Sequence, residues 1–318
     1  MTETHFADRL FAAADGKKSH VVAGLDPRID LIPSGIVEKA VRNHGKTPEA
    51  VGEAFIEFND AVIDAVADLA VAVKCQIAFY ERYGIAGLEA YKRTIRLAEE
   101  RGLIVIGDVK RNDIGSTADA YARAHLRGAP EEEGGEESAD FRVDAVTVNP
   151  LFGADGISPF VRRAAAAGAG VFALVRTSNP TSADLQELRC GDRPFYHHIA
   201  ALVNEWAAPF IGECGYSMLG AVVGATFPRQ LQHLRSVMPA VPLLIPGFGA
   251  QGGGVEDAAA GFDPQGGGAV VSSSRGLIYA YRNDPYAGRY GESAFKDAVR
   301  AATEEMRAAL WKGVHGGD

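Results

Sequence analysis

The sequence predicts an α/β fold, a (β/α)8 barrel of the TIM type, on three observations. Eight short apolar runs recur along 318 residues, with helical patterns between them. Several of these runs are apolar on both faces, as buried parallel strands are. Nearly every run exits into polar or charged residues, the end of the strand where such a barrel carries its functional groups. The chain reads as one barrel domain over residues 1–318, interrupted by an acidic insertion at about 129–142.

The runs, in order, are His20 to Leu25, Val71 to Val73, Leu103 to Ile106, Val143 to Val148, Gly170 to Val175, Leu219 to Val223, Val241 to Ile245 and Ala269 to Val271. Between the first two, Thr47 has the character of an N-cap, Pro48 of a first helical residue and Glu49 of a first-turn acid. Val51, Phe55, Phe58, Val62, Val66 and Leu69 follow at steps of three or four, which buries one helical face. Leu88, Tyr91, Ile95 and Ala98 repeat the pattern until Gly102 stops it. Phe160 to Ala167 and Ile199 to Trp206 read as further crossover helices. Residues 129–142, with Glu131, Glu132, Glu133, Glu136 and Glu137, have the composition of a solvated insertion.

A composition of 47% hydrophobic and 23% charged residues allows a full core, and the net charge of -9 argues against a surface that neutralises nucleic-acid phosphates or anionic lipid. Cys75, Cys190 and Cys214 are odd in number and irregularly spaced, which points to a reducing cytoplasm. Met1 to Leu10 lacks the basic-then-apolar order of an export signal, and no apolar stretch is long enough to span a membrane.

The polar exits carry the chemistry. Asp26 follows the first run, Lys74 the second, Asp108 and Lys110 the third, Asn149 the fourth, Thr177 and Ser178 the fifth. Alternate strand residues share a face, so Asp108 and Lys110 project together, with Asp113 further out on the loop. Lys74, ending an apolar segment, needs a counter-charge, and Asp108 on the neighbouring strand supplies one. A solvated turn with an ion pair would explain Asp-x-Lys-x-x-Asp equally well if its approach were not a buried strand. Cys75 should face the helices as an inert, packed thiol. His197 and His198, adjacent rather than three or four apart, make a poor metal pair.

After the seventh run, Gly247, Gly249 and Gly252 match Gly-x-Gly-x-x-Gly. No acid ends the next strand to hold a ribose diol, so the match does not make a dinucleotide site. The next run exits instead into Ser272, Ser273, Ser274 and Arg275. Backbone amides of the glycine loop together with a forked guanidinium suit a phosphate monoester, at the place where barrels usually bind one.

These residues resemble the orotidine 5'-phosphate decarboxylases. The resemblance rests on Asp108, Lys110, Asp113, Ile114 and Thr117, with Asp26, Lys74, the Pro246 to Gly253 loop and Arg275 in family order, and runs from residue 26 to residue 275. The length, the Asp108 to Thr117 wording and the Arg176 to Pro180 segment are similar to the longer bacterial subgroup. The resemblance implies cofactor-independent conversion of orotidine monophosphate to uridine monophosphate and CO2, with no metal. It implies a cytoplasmic homodimer in which Lys74, Asp108 and Lys110 of one subunit meet Asp113 and Thr117 of the other. It also implies that Asp26 and Thr117 contact the ribose, Ser178 the pyrimidine amide edge, and Gln251 and Gly252 with Arg275 the phosphate. Cys75 departs from the family, whose members often carry proline there.

Two other readings stand beside this one. A metal-dependent sugar-phosphate lyase of the same barrel superfamily shares Asp-x-Lys-x-x-Asp, but tends to carry an acidic metal ligand where Lys74 stands. A non-catalytic nucleotide-binding barrel would need the glycine loop and Arg275, yet has no use for four charges at the base end.

Overall fold

The computed structural model describes residues 4–127, 141–249 and 253–316. Eight parallel strands close into a barrel: β1 (Val21–Leu25), β2 (Ala72–Gln76), β3 (Ile104–Arg111), β4 (Ala145–Val148), β5 (Gly170–Arg176), β6 (Leu219–Val223), β7 (Leu243–Pro246) and β8 (Ala269–Ser273). Neighbours in sequence are neighbours in space, and closure comes from β1 pairing with β8 at Val21 and Val271 and with β2 at Gly24 and Lys74. The strands are almost wholly buried, because helices cover their outer faces and side chains fill the interior.

Two strand limits differ from the sequence expectation in ways that matter. β2 runs on to Gln76 rather than stopping at Val73, and β3 continues to Arg111 rather than ending at Ile106. Lys74, Asp108 and Lys110 therefore lie within strands, where the ladder holds their backbone. β7 begins at Leu243 rather than Val241, since Pro242 has no N–H to give to a ladder.

The helices follow the apolar periodicity. Pro48–Val66 begins as expected, with Thr47 Oγ1 accepting from the Ala50 N–H at 3.4 Å, and it buries Phe55, Phe58 and Val62. Gly84–Glu100 ends just before Gly102, whose N–H donates to the Glu99 carbonyl at 2.9 Å. The crossover helix around Phe160 begins earlier than its pattern suggested, at Ala154, and the one around Ile199 spans Phe195–Ala207.

Several helices escaped the periodicity reading, among them Phe6–Lys17, Ser34–His44, Gly115–His125, Pro228–Val237 and Phe295–His315. Helix Phe6–Lys17 lies across the N-terminal ends of the strands. Phe6 packs against Gly170, where a Cβ would collide with its ring, and edge-on to Phe172 at 5.9 Å. Arg9 reaches Asp144 at 2.6 Å, and Lys17 donates to the carbonyls of Ala67 and Ala70. The C-terminal helix Phe295–His315 packs on Pro48–Val66, with Arg300 paired to Asp68. Among the described residues no helix is long and apolar enough to cross a membrane.

Two buried histidines make stability depend on pH. Burial, with His315 beside His20 and Arg111 near His125, pushes each imidazole down to about 4. Above pH 6.5 both are neutral whether the chain is folded or not. As pH falls from 6.5 towards 4, the unfolded chain takes up protons that the folded chain refuses, so stability drops by about 1.4 kcal/mol per unit for each histidine. The thermal midpoint should therefore decline across this window and decline less steeply in a His125→Phe variant; a midpoint flat from pH 7 to 4.5 would exclude the effect.

Candidate active site

At the C-terminal mouth of the barrel, a cavity of about 610 Å³ is lined by Asp26, Lys74, Gln76, Asp108, Pro246, Gly247, Phe248, Ser272 to Ser274, Arg275 and Tyr279, with Arg28, Phe79 and Arg82 at its edge. Its charged floor is built by strand register: Gln76 of β2 stands opposite Asp108 of β3, which brings Lys74, two residues back on the same face, within reach.

Asp108 is the hub. Its Oδ2 accepts from Lys74 Nζ at 2.8 Å and from Gln76 Nε2 at 3.0 Å; its Oδ1 accepts from Lys110 Nζ at 2.6 Å and from Thr147 Oγ1 at 2.8 Å. Burial alone would raise this carboxyl, but the Lys74 and Lys110 ammonium groups outweigh it and hold Asp108 well below the ordinary carboxylate range. Burial likewise works against charge on Lys74, yet Asp108 and Asp26 together drive its pKa upward. Both groups are thus ionised throughout the neutral range. Cys75, beside Lys74, is buried and its thiol is pushed up to about 12, so it is inert as expected.

Lys110 is not among the residues that line the cavity and meets the site through Asp108. Its side chain is 44% exposed while its ammonium is tied to Asp108. Its backbone is left-handed, with φ 45°, a conformation costing about 1–3 kcal/mol for a residue with a Cβ. The cause is a bulge: β3 advances from Gly107 to Arg111 while β4 advances only from Val146 to Val148. The Lys110 N–H is satisfied across this bulge by Thr147 Oγ1 at 3.1 Å. Thr147 thus touches both Asp108 and Lys110, a role that its place inside an apolar run concealed.

Other expected site residues divide into two groups. Asp26 lines the cavity, and its Oδ1 is buried with no hydrogen-bond partner among the described residues. Arg275 lies at the far side, exposed and following the serine run. Asp113, Thr117 and Ser178, like Lys110, are not among the lining residues. Asp113 is half-buried and accepts from the Ile114 N–H at 2.8 Å; Thr117 is exposed on helix Gly115–His125. Ser178 sits just beyond β5, packed against Gly224. Gln251 and Gly252, and most of the acidic insertion, lie outside the described residues; the flanks of the glycine loop are drawn together by Gly249 N–H donating to Gly253 O at 2.8 Å.

Gln76, Phe79, Arg28, Arg82 and Tyr279 were missed. The residue two beyond Lys74 was the available signal for Gln76. None existed for Tyr279, whose hydroxyl donates to Asp26 O at 3.1 Å across 253 residues of sequence.

The sequence matches the family described as orotidine 5'-phosphate decarboxylase / HUMPS over residues 20–289. The chain belongs to this family. It is 43% identical over 305 residues to an orotidine 5'-phosphate decarboxylase of Rhodopirellula baltica, covering 96% of this chain and 98% of that protein, and 37% identical to one of Caldicellulosiruptor saccharolyticus with the same coverage. Among solved structures it resembles the OMP decarboxylase of Leishmania donovani, with TM-score 0.71 and 30% identity over 97% of this chain and 99% of that one. It also resembles that organism's UMP synthase, with TM-score 0.74 and 31% identity; the match covers 98% of this chain but spans 57% of the synthase. The eight-stranded parallel barrel is the fold this chain shares with these solved structures.

Proposed function

We propose that this chain converts orotidine monophosphate to uridine monophosphate and CO2 without a cofactor. The observation that carries this reading is the Asp108 carboxylate held between the ammonium groups of Lys74 and Lys110, at the floor of a cavity that reaches Arg275. A nucleotide fits this polarity with its phosphate against Arg275 and the amides of the glycine loop that includes Gln251 and Gly252. Its ribose then lies beside the unpartnered Asp26 oxygen, and its base over the charged floor.

When the C6–carboxylate bond breaks, CO2 leaves and the electron pair stays on C6. The Lys110 ammonium stabilises that pair and then gives it a proton, and the resulting amine recovers its proton from water. Asp108 stands where the substrate carboxylate must come. Two unit charges about 4 Å apart repel by roughly 4 kcal/mol at an effective dielectric near 20, and the two flanking lysines reduce even that. Enzymatic accelerations correspond to roughly 8–23 kcal/mol, so most of the effect must come from stabilising the carbanion and from phosphate binding energy realised in the transition state.

The active unit is a homodimer in this reading. Asp113 and Thr117 do not line the described cavity of their own subunit and, unlike Lys110, are not among the described partners of Asp108. They adjoin an apolar surface: Ile114, Leu151 and Phe152 are each more than half exposed, and Phe152 and the Asp113 backbone both pack against Gly156. The acidic net charge and the free cysteines Cys75, Cys190 and Cys214 support a cytoplasmic enzyme acting on a small nucleotide.

Loss of orotidine monophosphate absorbance, followed with the purified protein in excess chelator, tests the reading directly. Undiminished turnover is expected, because Lys74 puts a cation where a metal-dependent relative has a ligand. Activity that disappears with chelator and returns with Mg²⁺ would transfer the site to the metal-dependent lyases, and tight nucleotide binding without turnover would make it a sensor.

A further inference from the structure

Among the described residues Arg176 is the largest side chain that is fully buried, and nothing in the decarboxylation chemistry uses it. A buried guanidinium is costly to desolvate unless nearly every N–H finds an acceptor, so its surroundings show what it is for. It ends β5, at a bulge where Leu174 opposes Val222 but Arg176 opposes Val223 of β6. Its partners come from two different loops. From the segment after β5, Ser182 Oγ and Gln186 Oε1 accept from Nη1, the latter at 3.0 Å, and Glu187 Oε1 accepts from Nη2 at 2.8 Å. From the segment after β6, Gln230 Oε1 accepts from Nε at 3.0 Å, and the Phe227 ring lies under the guanidinium with its centroid at 4.1 Å. Gln230 also donates to Glu187 at 3.0 Å, which ties the two loops to each other as well as to the arginine.

Thr177 and Ser178 are the residues between this rivet and the mouth of the barrel. The Thr177 N–H donates to Gln186 Oε1 at 3.0 Å and its hydroxyl accepts from Gln186 Nε2 at 2.7 Å, so the residue that holds Arg176 also holds Thr177. Ser178 is pressed onto Gly224, where any Cβ would come within 2.8 Å of the serine Cβ. The Gly224 N–H in turn donates to the Arg176 carbonyl at 2.8 Å. Position and direction of Ser178 are thereby set from both sides: by Arg176 through Gln186, and by the bare backbone of Gly224.

We infer that Arg176 is a positioning residue, a buried rivet between the β5 and β6 loops that aims Ser178 at the base of the bound nucleotide without itself touching the ligand. The inference rests on the proposed assignment of Ser178 to the pyrimidine amide edge. A planar fork whose charge cannot be lost suits this role, because it grips acceptors from two directions while its face stacks on Phe227, which a lysine cannot reproduce.

The test compares a ligand that carries the base Ser178 would read with one that lacks the base altogether. Uridine monophosphate carries the base; ribose 5-phosphate does not. Arg176→Met should weaken uridine monophosphate binding by about tenfold or more, the scale expected when a hydrogen-bonding subsite is misaligned, and leave ribose 5-phosphate binding within about twofold. Ser178→Ala should show the same selectivity, and the double variant should be no weaker than the poorer single, because the two act on one contact. Arg176→Lys should not restore binding. Should Arg176→Met fail to fold, Glu187→Gln removes one charged partner at the surface and should produce a smaller loss of the same selectivity. Equal weakening of both ligands, additive losses, or unchanged uridine monophosphate binding in the Arg176 variant would each overturn the role of Arg176. If Ser178→Ala binds both ligands normally, the Ser178 assignment itself falls and takes the inference with it, a result distinct from failure of the Arg176 variant alone.

Discussion

Lys110→Ala is expected to lower turnover of orotidine monophosphate by roughly 10⁴-fold or more, since one side chain both stabilises the C6 electron pair and delivers the proton. Uridine monophosphate, which has no carboxylate and forms no carbanion, should still bind within about tenfold of the unaltered protein. The loss will not be an unfolding effect. The Lys110 side chain is 44% exposed, and Asp108 keeps Lys74, Gln76 and Thr147 when Lys110 is gone. Exposed charges of this kind contribute about 1 kcal/mol or less to stability, so the thermal midpoint should move by only a few degrees. Removing Lys74 instead would leave Asp108 with its charge buried and one cation fewer, and would confuse loss of chemistry with loss of the floor. Single-turnover measurement on the Lys110 variant decides the matter: turnover within about tenfold of normal would remove the lysine from the chemistry.

Mixing two inactive variants should restore activity. Lys110→Ala lacks the proton donor and Asp113→Ala lacks the carboxylate that the dimer reading lends to the neighbouring subunit. In an equal mixture that exchanges subunits freely, half the dimers are mixed, and each mixed dimer contains one site with every group intact. Activity should therefore recover to about a quarter of that of the unaltered protein. A mixture as inactive as its parts, with exchange verified by mass, would place Asp113 in the site of its own chain. The geometry that motivates the experiment is that Asp113 and Thr117, unlike Lys110, are not among the described partners of Asp108 and do not line the cavity, together with the exposed Ile114, Leu151 and Phe152 around them.

The strand-helix alternation, the polar strand exits and the serine-arginine ending of β8 were all legible from residue order alone, because each depends on a period of two or 3.6 or on the turn chemistry of a few adjacent residues. Thr47 was legible as a cap for the same reason. The partnership of Lys74 with Asp108 could be inferred from a neutralisation argument, since a lysine on a buried strand must find a carboxylate. The limits of β3 were not legible. Asp-Val-Lys-Arg looks like a loop by composition, yet ladder bonds to β2 on one side and a bulge against β4 on the other keep it in the sheet.

What order alone determined, then, is the barrel, the identity of the charged groups and which end of the strands bears them. Tertiary structure decided how those groups meet. Closure of β8 onto β1 brings Arg275 and Tyr279 to Asp26, the left-handed backbone at Lys110 directs its ammonium back to Asp108, and two loops converge on Arg176 so completely that its charge is sealed from water. Local patterns report the free energy of short segments with their immediate neighbours. Contacts between residues far apart in sequence form only once the loops are closed, so no short segment carries their signature.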